Sequence, residues 1–189
     1  KPPFIIGFVG RLDIYTKGLD LILKAFSDFE NKDHHSELWI IGDSDERPIL
    51  ERLAWSNNVS DKVKFLGSRF GIEKDELIQQ MDVFFHFLRN EGLPASVIEA
   101  CNLGVPSVVT EATNMASYIR DFNAGIAVPN EDYKALSEAF SALGEMKNNG
   151  NLKSLSRNAQ SMVQTAFNWD KLIIEFDTLL VEFTRECKA

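Results

Sequence analysis

Phe4-Ile5-Ile6-Gly7-Phe8-Val9-Gly10-Arg11-Leu12-Asp13-Ile14-Tyr15-Thr16-Lys17-Gly18 is followed by Leu19, Ile22, Leu23, Phe26 and Phe29 at helical spacing. The first six residues form a short, nearly continuous apolar run, the pattern of a strand buried on both faces. The later apolar positions recur as one face of a helix. A buried strand that enters a glycine-bounded loop and then an amphipathic helix is the opening of an α/β unit.

The alternation repeats along the chain. Leu38–Ile41, Val63–Leu66, Val83–Phe87, Val105–Val109 and Ile126–Val128 are further strand candidates, and helical patterns fall at Ile49, Leu50 and Leu53 and at Val97, Ile98, Cys101 and Asn102. Strands apolar on both faces, alternating with helices, predict a doubly wound, Rossmann-like parallel sheet of about six strands. The end of the chain reads differently. Glu131–Met146, Leu152–Ala166 and Asp170–Glu186 predict three consecutive helices, interrupted at Asn148-Asn149-Gly150-Asn151. Such a tail can cap a sheet edge or reach over to another domain.

Composition bounds the function. The 189 residues suit one domain of ordinary globular make-up, 44% hydrophobic and 25% charged. Cys101 and Cys187 make no disulfide framework, which suggests a reducing compartment. A net charge of −8 argues against a nucleic-acid binder or a polybasic membrane binder. The start at Lys1-Pro2-Pro3 has no initiator Met and no signal pattern, so the chain reads as a fragment cut at a linker. No apolar run reaches the roughly 20 residues of a transmembrane helix. A cytoplasmic location is expected, with peripheral attachment at the inner membrane face left to a missing domain.

In a doubly wound sheet, ligands bind beyond the carboxyl ends of the strands. After the first strand, Arg11 and Lys17 sit on a loop leading into a helix, where two cations beside free N–H groups can hold a phosphate. The same two residues also read as solvated surface charges, and spacing alone leaves both readings open. After the fourth strand comes Arg89-Asn90-Glu91-Gly92-Leu93-Pro94-Ala95-Ser96-Val97-Ile98-Glu99-Ala100. Pro94 fits the first turn of a helix, which leaves amides around Gly92, Leu93 and Ala95 as donors at its positive end. Glu99, between apolar Ile98 and Ala100, could accept two hydrogen bonds from a vicinal diol such as a ribose. Neither G-x-G-x-x-G nor a P-loop is present.

Taken together, Phe8-Val9-Gly10-Arg11-Leu12, Lys17-Gly18-Leu19-Asp20, Ile40-Ile41-Gly42-Asp43, Val63-Lys64-Phe65-Leu66-Gly67, Glu91-Gly92-Leu93-Pro94 through Glu99-Ala100, and Phe167-Asn168-Trp169 carry a family resemblance. They resemble the nucleotide-sugar-binding C-terminal half of a retaining GT-B glycosyltransferase of the group 1 (family 4) type. The resemblance implies a single donor-binding domain over residues 1–189, with an N-terminal acceptor domain missing from this chain. It implies catalytic roles for Arg11 and Lys17, on the donor diphosphate, and for Glu91, facing the transferred sugar. It implies donor binding by Gly10, by Arg69 and Phe70 along the base, by Gly92, Leu93, Pro94, Ala95 and Ser96 through backbone groups, and by Glu99 at the ribose.

The resemblance also implies a hexosyl transfer in glycan or polysaccharide biosynthesis, from a UDP-sugar or GDP-sugar to a glycan or lipid-linked acceptor. No tightly bound cofactor is expected, and the fragment alone should not turn over. A non-catalytic nucleotide-binding module and a sugar-nucleotide epimerase or phosphorylase are the alternatives. Thr113-Asn114 and Ser117 depart from the Gly-Gly and Glu frequent in the family, which leaves the contacts of that loop open. Ser44 and Phe87 replace a frequent Gly and a frequent Pro.

Asp43-Ser44-Asp45 has the form of a metal-binding D-x-D, but its place before an amphipathic stretch predicts helix capping. No protein-bound metal site is expected. His34 and His35 read as solvated, and His86 reads as a packed strand-end residue with a catalytic base as the alternative.

Overall fold

A computed structural model describes residues 2–31, 35–87 and 92–186. Glu91, His34 and Cys187, singled out above, lie outside the described residues. The strands are β1 (Phe4–Val9), β2 (Ser36–Ile41), β3 (Val63–Gly67), β4 (Val83–His86), β5 (Ser107–Thr110) and β6 (Gly125–Val128). The helices are α1 (Leu19–Glu30), α2 (Arg47–Ser56), α3 (Gly71–Gln79), α4 (Ala95–Asn102), α5 (Ala116–Asp121), α6 (Tyr133–Asn148), α7 (Leu152–Ala166) and α8 (Trp169–Glu186).

The strands form one sheet in the order β3-β2-β1-β4-β5-β6, and every pairing is parallel. This is the doubly wound order, with its switch point between β1 and β4. Period-2 alternation explains why both faces are covered. Ile6 and Phe8 of β1 enter one core with Leu38, Ile40, Val83 and Phe85, while Ile5 and Val9 pack against the other with Ile41, Phe84 and Val109. The first core is closed by α1, α2 and α6, the second by α3, α4 and α5, and α7 reaches both, with Leu152 and Leu155 in the first and Ala159 and Met162 in the second. The two faces follow from right-handed crossovers that run in opposite directions from β1.

Phe140 fastens the tail to this frame. Its ring meets Phe29 of α1 at 6.1 Å and Phe85 of β4 at 6.3 Å, both edge-on, and Phe85 stacks on Phe8 at 5.6 Å. By contrast α8 lies on neither core: every described side chain along it is exposed, including Trp169, Phe176 and Phe183. It does not cap a sheet edge. Among the described residues no helix is long and apolar enough to cross a membrane.

Two helices escape the periodicity reading. In α3 the one buried residue is Ile78, with Ile72 77% exposed, so no apolar stripe marks it. With six residues, α5 is too short to show a period. The fifth strand starts later than its apolar run, because the Val105 N–H is taken by the Ala100 carbonyl at the end of α4.

Truncating the aromatic pin should be costly. Phe140→Ala is expected to lower stability by about 3–5 kcal/mol, the usual loss for a buried Phe. The check is the urea midpoint of variant against parent, with unchanged slope showing that the denatured state is the same.

Candidate functional site

The chain leaves β1 at Val9 and β4 at His86, on neighbouring strands whose helices go to opposite faces. A crevice opens between the two loops. The loop after β1 is tied down from the side of β2. Gly10 N–H donates to the Ile41 carbonyl (3.0 Å), Ser44 Oγ to the Leu12 carbonyl (2.6 Å), and Ile14 N–H to the Glu46 carboxylate (2.7 Å). Leu12 is fully buried beneath it. A Cβ on Gly42 would lie 1.8 Å from the Gly10 carbonyl oxygen, so the two backbones are in direct contact. Arg11 is therefore an exposed cation on a fixed backbone, and Lys17 a half-buried one.

Asp13 lies between them in sequence and organises the turn. Its carboxylate accepts the Thr16 N–H at 2.8 Å, while Lys17 N–H donates to its carbonyl at 3.0 Å. The Thr16 backbone hydrogen bond is the main cause that holds the Asp13 carboxyl below its ordinary value of 3.8. The Thr16 side chain and the Arg11 and Lys17 charges add to it against the cost of burial. At Gly18 the backbone turns left-handed (φ 60°, ψ 28°) to start α1. A Cβ there would lie 2.5 Å from the Phe87 carbonyl oxygen, so Gly18 is where the basic loop meets the chain leaving β4.

On the opposite side of the crevice stands the start of α4. Pro94 precedes the helix as its cap rather than occupying its first turn: its backbone is extended (φ −74°, ψ 109°) and α4 begins at Ala95. Val97 N–H returns to the Pro94 carbonyl, and the N–H groups of Ala95 and Ser96 are not used by the helix ladder. The Gly92 carbonyl accepts the Asn114 N–H at 3.1 Å, and Thr113 is buried with its hydroxyl on the Thr110 carbonyl. The unusual Thr113-Asn114 loop thus braces the approach to α4, and Leu93 stays half exposed beside it.

Glu99 is not buried, although its sequence neighbours Ile98 and Ala100 are apolar. Val97, Ala100 and Cys101 face the core, while the Glu99 side chain is 46% exposed and bound through Oε2 to Lys74 Nζ of α3 at 2.9 Å. The third wall is the loop after β3. Gly10, Arg11, Gly42, Asp43, Arg69 and Phe70 line a cleft of about 280 Å³, with Phe70 79% exposed at its rim. The structure thus brings Gly10, Arg11, Arg69 and Phe70 into one cleft. Lys17 and the first turn of α4 stand at the adjoining crevice.

Sequence reasoning missed Ser44, Glu46 and Lys74 as parts of this arrangement. A hydroxyl and a carboxylate directly before a helix read as caps, and nothing in the pattern pairs Lys74 with a residue 25 positions away. The aspartates of Asp43-Ser44-Asp45 do not cap α2. Glu46 is its cap residue, and it is Ser44 that accepts the Glu46 N–H (3.0 Å), while Asp43 accepts the Ser44 N–H and lies 3.8 Å from Arg47. Among the described residues no three His, Cys, Asp or Glu converge as metal ligands. His86 is 3% exposed, packed at the end of β4, and burial pushes the Cys101 thiol up to about 11.

The family model for glycosyl transferases group 1 matches residues 1–162. The chain belongs to that family. A Staphylococcus aureus capsular polysaccharide biosynthesis glycosyltransferase, CapM, is 23% identical over 95% of the chain and 47% of its own length. A Campylobacter jejuni N,N'-diacetylbacillosaminyl-diphospho-undecaprenol alpha-1,3-N-acetylgalactosaminyltransferase is 32% identical over 71% of the chain and 34% of its own length. The chain thus spans about half or less of these relatives. Among solved structures, Anabaena Alr3699/HepE in complex with UDP matches with TM-score 0.83 and 19% identity, over 95% of this chain and 49% of that one. WaaG, a glycosyltransferase involved in lipopolysaccharide biosynthesis, matches with TM-score 0.76 and 24% identity, over 86% and 43%. The structural matches establish the fold of this group 1 chain as one half of the GT-B architecture.

Gly18→Ala combines a left-handed backbone with a collision against main chain. It is expected to cost about 1–3 kcal/mol in chemical denaturation. Gly92→Ala, where a Cβ meets nothing within 4 Å, should change stability by less than about 0.5 kcal/mol. The Asp13 carboxyl should titrate below 3.8 by carboxyl carbon NMR. Because its folded value is depressed, its contribution is complete above the unfolded value and is lost as pH falls through the folded one. The Thr16 amide shift should follow the same midpoint.

Proposed function

We propose that this chain is the donor-binding half of a retaining glycosyltransferase, which moves a hexose-type sugar from a nucleoside diphosphate to an acceptor in glycan or polysaccharide biosynthesis. The observation that carries this reading is the convergence of the Arg11–Lys17 loop and the start of α4 at the β1/β4 switch point of a group 1 fold. Breaking the sugar–phosphate bond leaves charge on the diphosphate. Arg11, Lys17 and the Ala95 and Ser96 amides would meet that charge from positions fixed before the reaction begins, so no reorganisation is needed as it develops. Glu91 would face the transferred sugar, Glu99 the ribose, and Arg69 and Phe70 the base. Departure and attack on the same sugar face require no protein nucleophile.

The donor is a UDP-sugar or a GDP-sugar. HepE has been solved with UDP and with UDP-glucose, which supports the first of these. The acceptor site would belong to an N-terminal domain, in keeping with a chain that spans 47% of CapM. The exposed apolar side of α8 would pack on that domain. Titration calorimetry of the chain with UDP, GDP, ADP and their sugars tests the proposal. One nucleoside diphosphate should bind, and Arg11→Ala or Lys17→Ala should each weaken it about tenfold or more, the loss of a charge-assisted contact of roughly 1.5–3 kcal/mol. Absence of binding to the whole panel contradicts the proposal.

A further inference from the structure

Lys74 closes the fourth position of α3, and Glu99 begins the second turn of α4. Their ion pair at 2.9 Å joins two helices that cover the same face of the sheet. The lysine is the more covered partner, 19% exposed against 46%. Ion pairs this open to water contribute little to folding, so stability is a weak account of the contact. Its geometry is more informative. A carboxylate offers two oxygens and about four acceptor directions; Lys74 holds Oε2, which fixes the rotation of the group and leaves Oε1 free to receive hydroxyls. Without that hold, a half-exposed glutamate would sample several rotamers and have to be ordered by the ligand.

The origin of α3 ties the ion pair to the cleft. It is entered directly from Ser68-Arg69-Phe70, the wall of the cleft opposite Gly10 and Arg11. Ile78, near its far end, is its one buried residue, and Gly71 and Ile72 at its start are exposed. The start of α3 therefore has little apolar anchorage, and the Lys74–Glu99 bridge spans from it to the second turn of α4.

We propose that Lys74 is a positioning residue for the nucleotide: it orients the Glu99 carboxylate toward the vicinal ribose hydroxyls and couples that contact to the Arg69-Phe70 wall. This rests on the reading of Glu99 as the ribose acceptor.

The test is a ratio measured within each protein. UDP and GDP are titrated beside their 2′,3′-dideoxy analogues into the parent chain, Lys74→Met and Lys74→Arg, with thermal midpoints as a control for folding. The parent should prefer the ribose form by about tenfold or more, as hydrogen bonds to a charged group allow. Lys74→Met should reduce that preference to below about threefold, with binding of the dideoxy form nearly unchanged, and Lys74→Arg should restore most of it. A merely structural lysine would shift both affinities together and leave the ratio alone. An unaltered ratio in Lys74→Met overturns the inference. A parent that binds nucleotide without discriminating the dideoxy form removes the ribose role of Glu99 and this inference with it, yet leaves the donor-binding function standing. Only a parent that binds none of UDP, GDP and ADP contradicts that function.

Discussion

The structure depends on one constraint, the parallel pairing of β1 on both edges. Six residues of β1 register with β2 on one side, while Ile6 and Gly7 register with β4 on the other. A strand paired on both edges and buried on both faces can release its chain only from its end. Because the crossovers that fill the two sides of the sheet run to opposite faces, the loops after β1 and β4 part at that point. The crevice is therefore a consequence of strand order. Every candidate side chain acquires its meaning from its distance to it.

Electrostatics works locally within an acidic molecule. With a net charge of −8, the chain as a whole repels anions. Arg11 and Lys17 oppose this only because their loop is held by short contacts to Ile41, Ser44 and Glu46 and turned by Asp13. The acidic residues nearby are spent on backbone donors: Glu46 on Ile14 and Asp13 on Thr16. A cation on a fixed backbone beside helix amides needs no favourable field from the rest of the protein, since it acts at contact distance.

The two ends of the tail behave differently for a reason visible in their packing. Phe140 in α6 enters an aromatic cluster with Phe29 and Phe85, and Leu155, Ala159 and Met162 of α7 are buried, so both helices belong to the domain. The apolar residues of α8 stay exposed, with no such partners among the described residues. An amphipathic helix with its apolar side in water leaves a contiguous apolar patch on the surface, the kind of surface that marks an interaction site.

The strands, the parallel sheet and the three tail helices were legible in the sequence, because strands buried on both faces and long amphipathic helices leave strong periodic marks. The Arg11–Lys17 loop and the start of α4 were legible as places, since both follow apolar strand runs. What could not be read were α3 and α5, which bury too little or are too short, and the bracing of the site by Ser44, Glu46, Asn114 and Lys74. The sequence by itself determined which residues can be inside and which segments can be helix or strand, through hydrophobic periodicity. Only the tertiary structure decided that Gly18 touches Phe87, that Gly42 touches Gly10 and that Glu99 answers to Lys74. Periodicity is a property of one segment, whereas contacts between segments depend on strand order and register, which no local pattern contains.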